Sequence, residues 1–156
     1  MTLLIHATTG ALIGQYTGSP VLAFFYGLLS HIILDAIPHG DSKVYQKYKN
    51  KEITFKKAMA ISIIDSICAI VFVLAFFAMD INPSNLASSM AIIGAIIPDI
   101  FIGFYELTCP HPPKILQVIH KWHFKNHDLV AKKYDFTFKK GLAFQTIIFL
   151  ILVKLI

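Results

Sequence analysis

Two long, predominantly apolar runs set the limits on what this chain can fold into. They are residues 58–79 (AMAISIIDSICAIVFVLAFFAM) and 86–107 (LASSMAIIGAIIPDIFIGFYEL), joined by the lysine-free turn DINPSN. A helix that crosses a hydrocarbon layer of about 30 Å needs roughly 20 such residues, so each run has the length of a membrane span. Three shorter apolar segments, 3–16, 21–37 and 142–156, have room to enter or cross a locally thinned bilayer, the last with Lys154 snorkelling near its end. With 56% hydrophobic and 15% charged residues among 156, an ordinary soluble domain is excluded. The expected fold is all-α, a polytopic membrane bundle of about five embedded helices forming one domain over residues 1–156.

Charge orients the bundle. Every one of the 14 basic residues is lysine. Lys43, Lys47, Lys49, Lys51, Lys56 and Lys57 fall in one loop, and Lys114, Lys121, Lys125, Lys132, Lys133, Lys139 and Lys140 in another. The connections TGSP and DINPSN have none. The positive-inside rule puts both lysine loops in the cytoplasm, giving a multi-pass protein of the cell (inner) membrane with its amino terminus inside and its carboxyl terminus outside. Lysines placed between apolar spans suit anionic lipid rather than a nucleic-acid groove, despite a formal charge of +5. The opening MTLLIHATTG lacks a cationic start and carries His6, so a retained amino terminus is expected. Cys68 and Cys109 lie in unrelated settings and read as separate thiols.

Pro110, Pro112 and Pro113 break the chain before KILQVIHKWHFKNHDLVAKK, which has helical spacing but too many charges to span. It is expected to form an amphipathic, His-rich helix on the cytoplasmic surface. The recurrence of Gly10, Gly14 and Gly18 every four residues gives the first segment a face that another helix can approach closely, which suggests a tightly packed first hairpin.

Ionisable side chains inside spans are costly and mark functional candidates. His6, His31, Asp35, Asp65 and Asp99 all lie within about 12 Å of the lysine-rich ends of their helices, at about 1.5 Å of rise per residue. His31 and Asp35, four residues apart, project from one helical face and suit two ligands of one metal ion. His39 follows Pro38, where the helix should break, and can curl back toward them with Asp41. Offsets of three, four and seven put His120, His123 and His127 on one stripe that can close the layer from below. Asp99 follows Pro98, which removes a backbone hydrogen bond, and can ligate a metal or accept a proton. The candidate ligands are thus His6, His31, Asp35, His39, Asp99, His120, His123 and His127, for one or two divalent ions with zinc first, and Asp99 or Asp65 is the candidate general base. Each also has a structural reading: His6 can bridge helices by hydrogen bonds, Asp65 can cap a backbone, and surface histidines can simply be solvated.

The segments HATTGALIG, GLLSHIILDAIPHGD and GAIIPD resemble the membrane-bound metal-dependent hydrolases of bacteria and archaea, and more distantly the zinc-dependent phospholipase C group through the His-x-x-x-Asp pair. The resemblance implies a metal hydrolase embedded in the membrane, with His6, His31, Asp35 and Asp99 at the family's polar motifs. The expected activity is hydrolysis of a phosphoester in a lipid or lipid-linked substrate at the cytoplasmic leaflet. The alternatives are a non-enzymatic membrane protein that binds metal or haem, His6 and His31 serving as axial ligands, or an assembly protein fastened by its polar layer. The absence of a Gly-x-Ser-x-Gly elbow and of a Gly-rich phosphate loop argues against serine and nucleotide hydrolysis.

Overall fold

A computed structural model of the chain describes residues 1–80, 84–129 and 134–156, with the side chains of Ser42 and Lys43 left aside. Residues 81–83 of the expected outer turn, and Lys132 and Lys133 of the second lysine loop, lie outside the described residues. Among the described residues the structure is all helical: α1 (Leu3–Tyr16), α2 (Pro20–Ala36), α3 (Asp41–Lys49), α4 (Phe55–Ala78), α5 (Asn85–Thr108), α6 (Lys114–His127) and α7 (Phe138–Leu155). Several starts follow from local chemistry. Ser19, Thr54 and Ser84 accept hydrogen bonds from the amides of Leu22, Lys57 and Ala87, and Pro20 occupies the first turn of α2, where its missing N–H is no loss.

At 24 residues each, α4 and α5 are long and apolar enough to cross a membrane. Their surroundings differ. α5 packs against both α1 and α2 through small residues, burying Ala87, Ser88, Ala91, Gly94 and Ala95. α4 buries only Ala69 and Phe76 and leaves Ile63, Ile64, Ile67, Ile70, Val71 and Leu74 exposed. The outer faces of α2 and α7 are similarly apolar, with Phe25, Leu29, Ile33, Ile147, Leu150 and Ile151 exposed.

The glycine face of α1 serves a different partner from the one expected. A Cβ on Gly10 would lie 2.7 Å from Ile92 Cα, and one on Gly14 would run into the backbone of Ser88. Both contacts are with α5, while Gly18 has nothing near it. On α2, Gly27 likewise admits the carbonyl of Ala91. Close approach is therefore concentrated on α5, whose own small residues complete the fit. Below the bundle, α6 lies against α5 and α2, and Asn126 donates to the carbonyl of Ile32 near the end of α2 at 2.8 Å.

Candidate metal centre

Asp35 ends α2 with its carboxylate completely buried, an arrangement that requires partners on every side. Four groups surround it, two of them bonded to one oxygen. The amino group of Met1 lies 2.5 Å from Oδ1, and His6 Nε2 donates to the same oxygen at 3.0 Å. His31 Nε2 is 2.9 Å and His127 Nε2 3.1 Å from Oδ2. His123 Nε2 stands slightly farther off, at 3.8 Å. α1, α2 and α6 thus deliver imidazoles to one carboxylate, and α5 adds Asp99, whose oxygens lie 3.9 Å from the Nε2 atoms of His6, His31 and His123.

Among the described residues, two sets of donors converge closely enough to hold a cation: His31, Asp35, Asp99 and His123, and Asp35, His39 and His127. They share Asp35. The chemistry of the donors also fits. His31 Nδ1 lies 2.7 Å from the carbonyl of Ala95, and His39 Nδ1 2.6 Å from that of Ile37. A carbonyl only accepts, so each Nδ1 carries the proton and, in the neutral ring, each Nε2 presents a lone pair. Such backbone partners fix tautomer and orientation in metal-bound histidines. His31 Nε2, Asp35 Oδ2 and His39 Nε2 are buried and make no hydrogen bond, short as the first two's separation is. Acceptors facing one another without a shared proton repel, and a cation between them removes the repulsion. Burial, reinforced by the amine of Met1, pulls the pKa of His39 down to about 3. Burial also pulls that of His123 down to about 2, against the opposing charge of Asp35. Both rings are therefore neutral, the form that ligates.

Not every candidate joins these sets. His6 touches Asp35 as a hydrogen-bond donor and stacks on His31 with centroids 4.1 Å apart, but belongs to neither donor set. Asp65 accepts from the amides of Leu3 at 2.6 Å and Leu4 at 3.3 Å, satisfying orphan donors at the start of α1. His120 faces elsewhere. Its Nε2 lies 2.9 Å from the Tyr45 hydroxyl, which donates to Glu106, and its ring stacks on Tyr105. Lys49 joins the same cluster 3.0 Å from Glu106, tying α3, α5 and α6 together beside the centre.

Two supporting residues escaped the sequence reading. Asp135 Oδ1 accepts from the amides of His39 and Gly40 at 3.0 and 2.7 Å. Gln145, buried on α7, accepts from Thr2 N at 2.7 Å and donates to the carbonyl of His39 at 3.0 Å. Together they hold the turn that carries His39. That turn needs the left-handed backbone of Gly40, φ +88°, and the absent side chain of Gly141, where a Cβ would strike the carbonyl of His39. A glutamine within the largely apolar stretch 142–153 of α7 was the available signal for Gln145. No protein family, curated protein or solved structure matches the chain.

Proposed function

We propose that this chain is a multi-pass membrane hydrolase, dependent on one or two divalent ions with zinc first, that cleaves a phosphoester of a lipid or lipid-linked substrate at the cytoplasmic leaflet. The observation that carries the metal reading is the pair of donor sets sharing Asp35, with buried Nε2 lone pairs aimed into them. Five crossings, α1, α2, α4, α5 and α7, account for the exposed apolar faces, which in water would be an extensive aggregation-prone surface. The lysine loops then face the cytoplasm of the inner membrane and attract anionic headgroups. The resemblance of HATTGALIG, GLLSHIILDAIPHGD and GAIIPD to motifs of membrane-bound metal-dependent hydrolases favours the same reading.

In this reading His31, His123 and Asp99 with Asp35 would hold one ion, and His39 and His127 with Asp35 a second. A divalent ion there would supply a water acidified toward pH 7 and polarise the phosphoryl oxygen. The remaining work belongs to the chain. Asp35 is fully buried whereas Asp99 is about a quarter exposed, so Asp99 is the carboxylate that meets a substrate and its water. It takes one proton as the water oxygen bonds to phosphorus. The phosphorus–oxygen ester bond breaks, and that proton passes to the departing alkoxide. His6 holds Asp35 in place through its Nε2–H.

Haem fits poorly. A porphyrin must lie between its two axial imidazoles, and the His6 and His31 rings are stacked 4.1 Å apart. The decisive test is hydrolysis of phospholipids and isoprenoid phosphates by gently purified protein. Chelator-sensitive cleavage restored by zinc, and lost in His31→Ala, is the expected result. Full metal occupancy without cleavage of any of these phosphoesters would replace this reading with that of a non-enzymatic metal-binding protein.

A further inference from the structure

The outer face of α6 carries two chemistries side by side. Ile115, Val118 and Trp122 are exposed along it, and Lys114, Lys121 and Lys125 are exposed beside them. Offsets of seven and four put the three lysines on one stripe, and Ile115, Val118 and Trp122, three and four apart, form the next. The helix contains no acidic residue. Asn126, four residues beyond Trp122 and so on its side of the helix, donates to the carbonyl of Ile32. The apolar stripe therefore borders the end of α2, whose Leu29 and Ile33 are exposed. Only residues 109–113 separate α6 from α5, one of the helices long and apolar enough to cross a membrane. The opposite face of α6 buries His123 and His127 in the candidate centre.

We infer that the outer face of α6 lies on an anionic lipid surface, and that this contact holds His123 and His127 in the centre, coupling lipid charge to metal binding. The inference rests on the membrane and metal readings above and adds which surface meets the lipid and what that contact does. Charge and place select the occupant. A helix with lysines beside apolar side chains and a tryptophan suits the boundary between headgroups and acyl chains. Anionic headgroups match the lysine stripe, while the apolar stripe prolongs the outer side of α2 into hydrocarbon. A nucleic acid would use the lysines and leave the Trp122 stripe in water. The apolar stripe adjoins α2 only while α6 is docked, so the lipid surface favours the docked state. A ligand shifts a population toward the state it binds better, here the one in which His123 and His127 reach Asp35. By reciprocity, bound metal strengthens the lipid contact.

The test places the full chain in phosphatidylcholine vesicles with or without phosphatidylglycerol and reads Trp122, the only tryptophan. Phosphatidylglycerol brominated near the headgroup end of its acyl chains should quench Trp122 emission more than equally brominated phosphatidylcholine at the same content. Zinc release into excess chelator, a rate insensitive to zinc gathered at the charged surface, should be slower by about 5-fold or more with phosphatidylglycerol present, the low end of usual coupling between sites. Lys114→Gln, Lys121→Gln and Lys125→Gln together remove charge that repels zinc, yet should return release to the rate in phosphatidylcholine. Ile115→Ser with Val118→Ser keeps every charge and serves the same purpose if the triple variant does not fold. Emission unchanged by either brominated lipid would overturn the inference and leave the face to water or a partner protein. Quenching with zinc release indifferent to lipid charge would overturn the coupling. The readings fail separately. Quenching without any bound zinc removes the metal centre and the coupling and leaves the lipid face, and lipid-dependent zinc release without hydrolysis removes the activity alone.

Discussion

His6 shows how one atom divides a supporting role from a ligating one. Its Nε2–H is committed to Asp35, so His6→Gln, which can place an amide N–H near the same point, should retain metal better than His6→Ala. A loss of roughly 10- to 100-fold in metal affinity is expected for the alanine variant, the usual cost of removing an outer partner of a ligand. Equal loss in both variants, read by competition with a zinc indicator, would instead make His6 a direct ligand. His39 and His123 predict a pH dependence in the metal-free protein. Their folded pKa values, about 3 and about 2, lie below the value near 6.5 of an unfolded histidine. The unfolded chain therefore binds more protons as the pH falls below about 6.5, and stability falls with it. Thermal unfolding in detergent with chelator should begin at lower temperature at pH 5 than at pH 7.5. An unchanged midpoint would mean that these rings are not buried as described.

At the scale of helices, the close contacts on α5 predict a sharp positional contrast. Gly10→Ala forces a methyl group against the backbone at Ile92 and should destabilise the protein by about 1–3 kcal/mol, the usual range for overpacking. Gly18→Ala, with nothing nearby, should be neutral or slightly stabilising, and the two unfolding temperatures compared side by side check the contrast. The glycine repeat was legible in sequence, but its partner was not, because nothing local says whether a small-residue face meets the next helix or a later one. The boundaries of α1, α2, α4 and α5 were also legible, since apolar runs and caps are local signals. α3 was not, because its nine residues, DSKVYQKYK, carry almost no apolar stripe, and its docking depends on Tyr45 and Lys49 reaching Glu106 on α5. The stripe His120, His123, His127 does lie on one helix but does not converge on one site. Seven residues of helix span roughly 10 Å, longer than a single coordination shell, so His120 lands over Tyr45 while the other two reach Asp35. Asp135 and Gln145 support a turn about a hundred residues away in sequence, a distance at which no spacing rule operates.

For the molecule as a whole, lysine asymmetry and the depth of the polar residues point to the same end of the bundle. The proposed topology predicts that Cys109, exposed just beyond α5, reacts with a membrane-impermeant maleimide in inside-out vesicles and is protected in right-side-out ones. The reverse pattern would invert the orientation and move the site to the outer face. α1, α2, α5 and α6 each contribute a side chain to the layer around Asp35, and α7 steadies it through Gln145, so most of the fold converges on one carboxylate. Elemental analysis of gently purified protein beside its Asp35→Asn variant tests that convergence most directly. The wild-type chain should carry at least one divalent ion that chelator removes and zinc restores, and Asp35→Asn should carry none while keeping its helical content. Equal metal in the two proteins, or none in the wild type even after incubation with zinc, would contradict a metal centre built on Asp35.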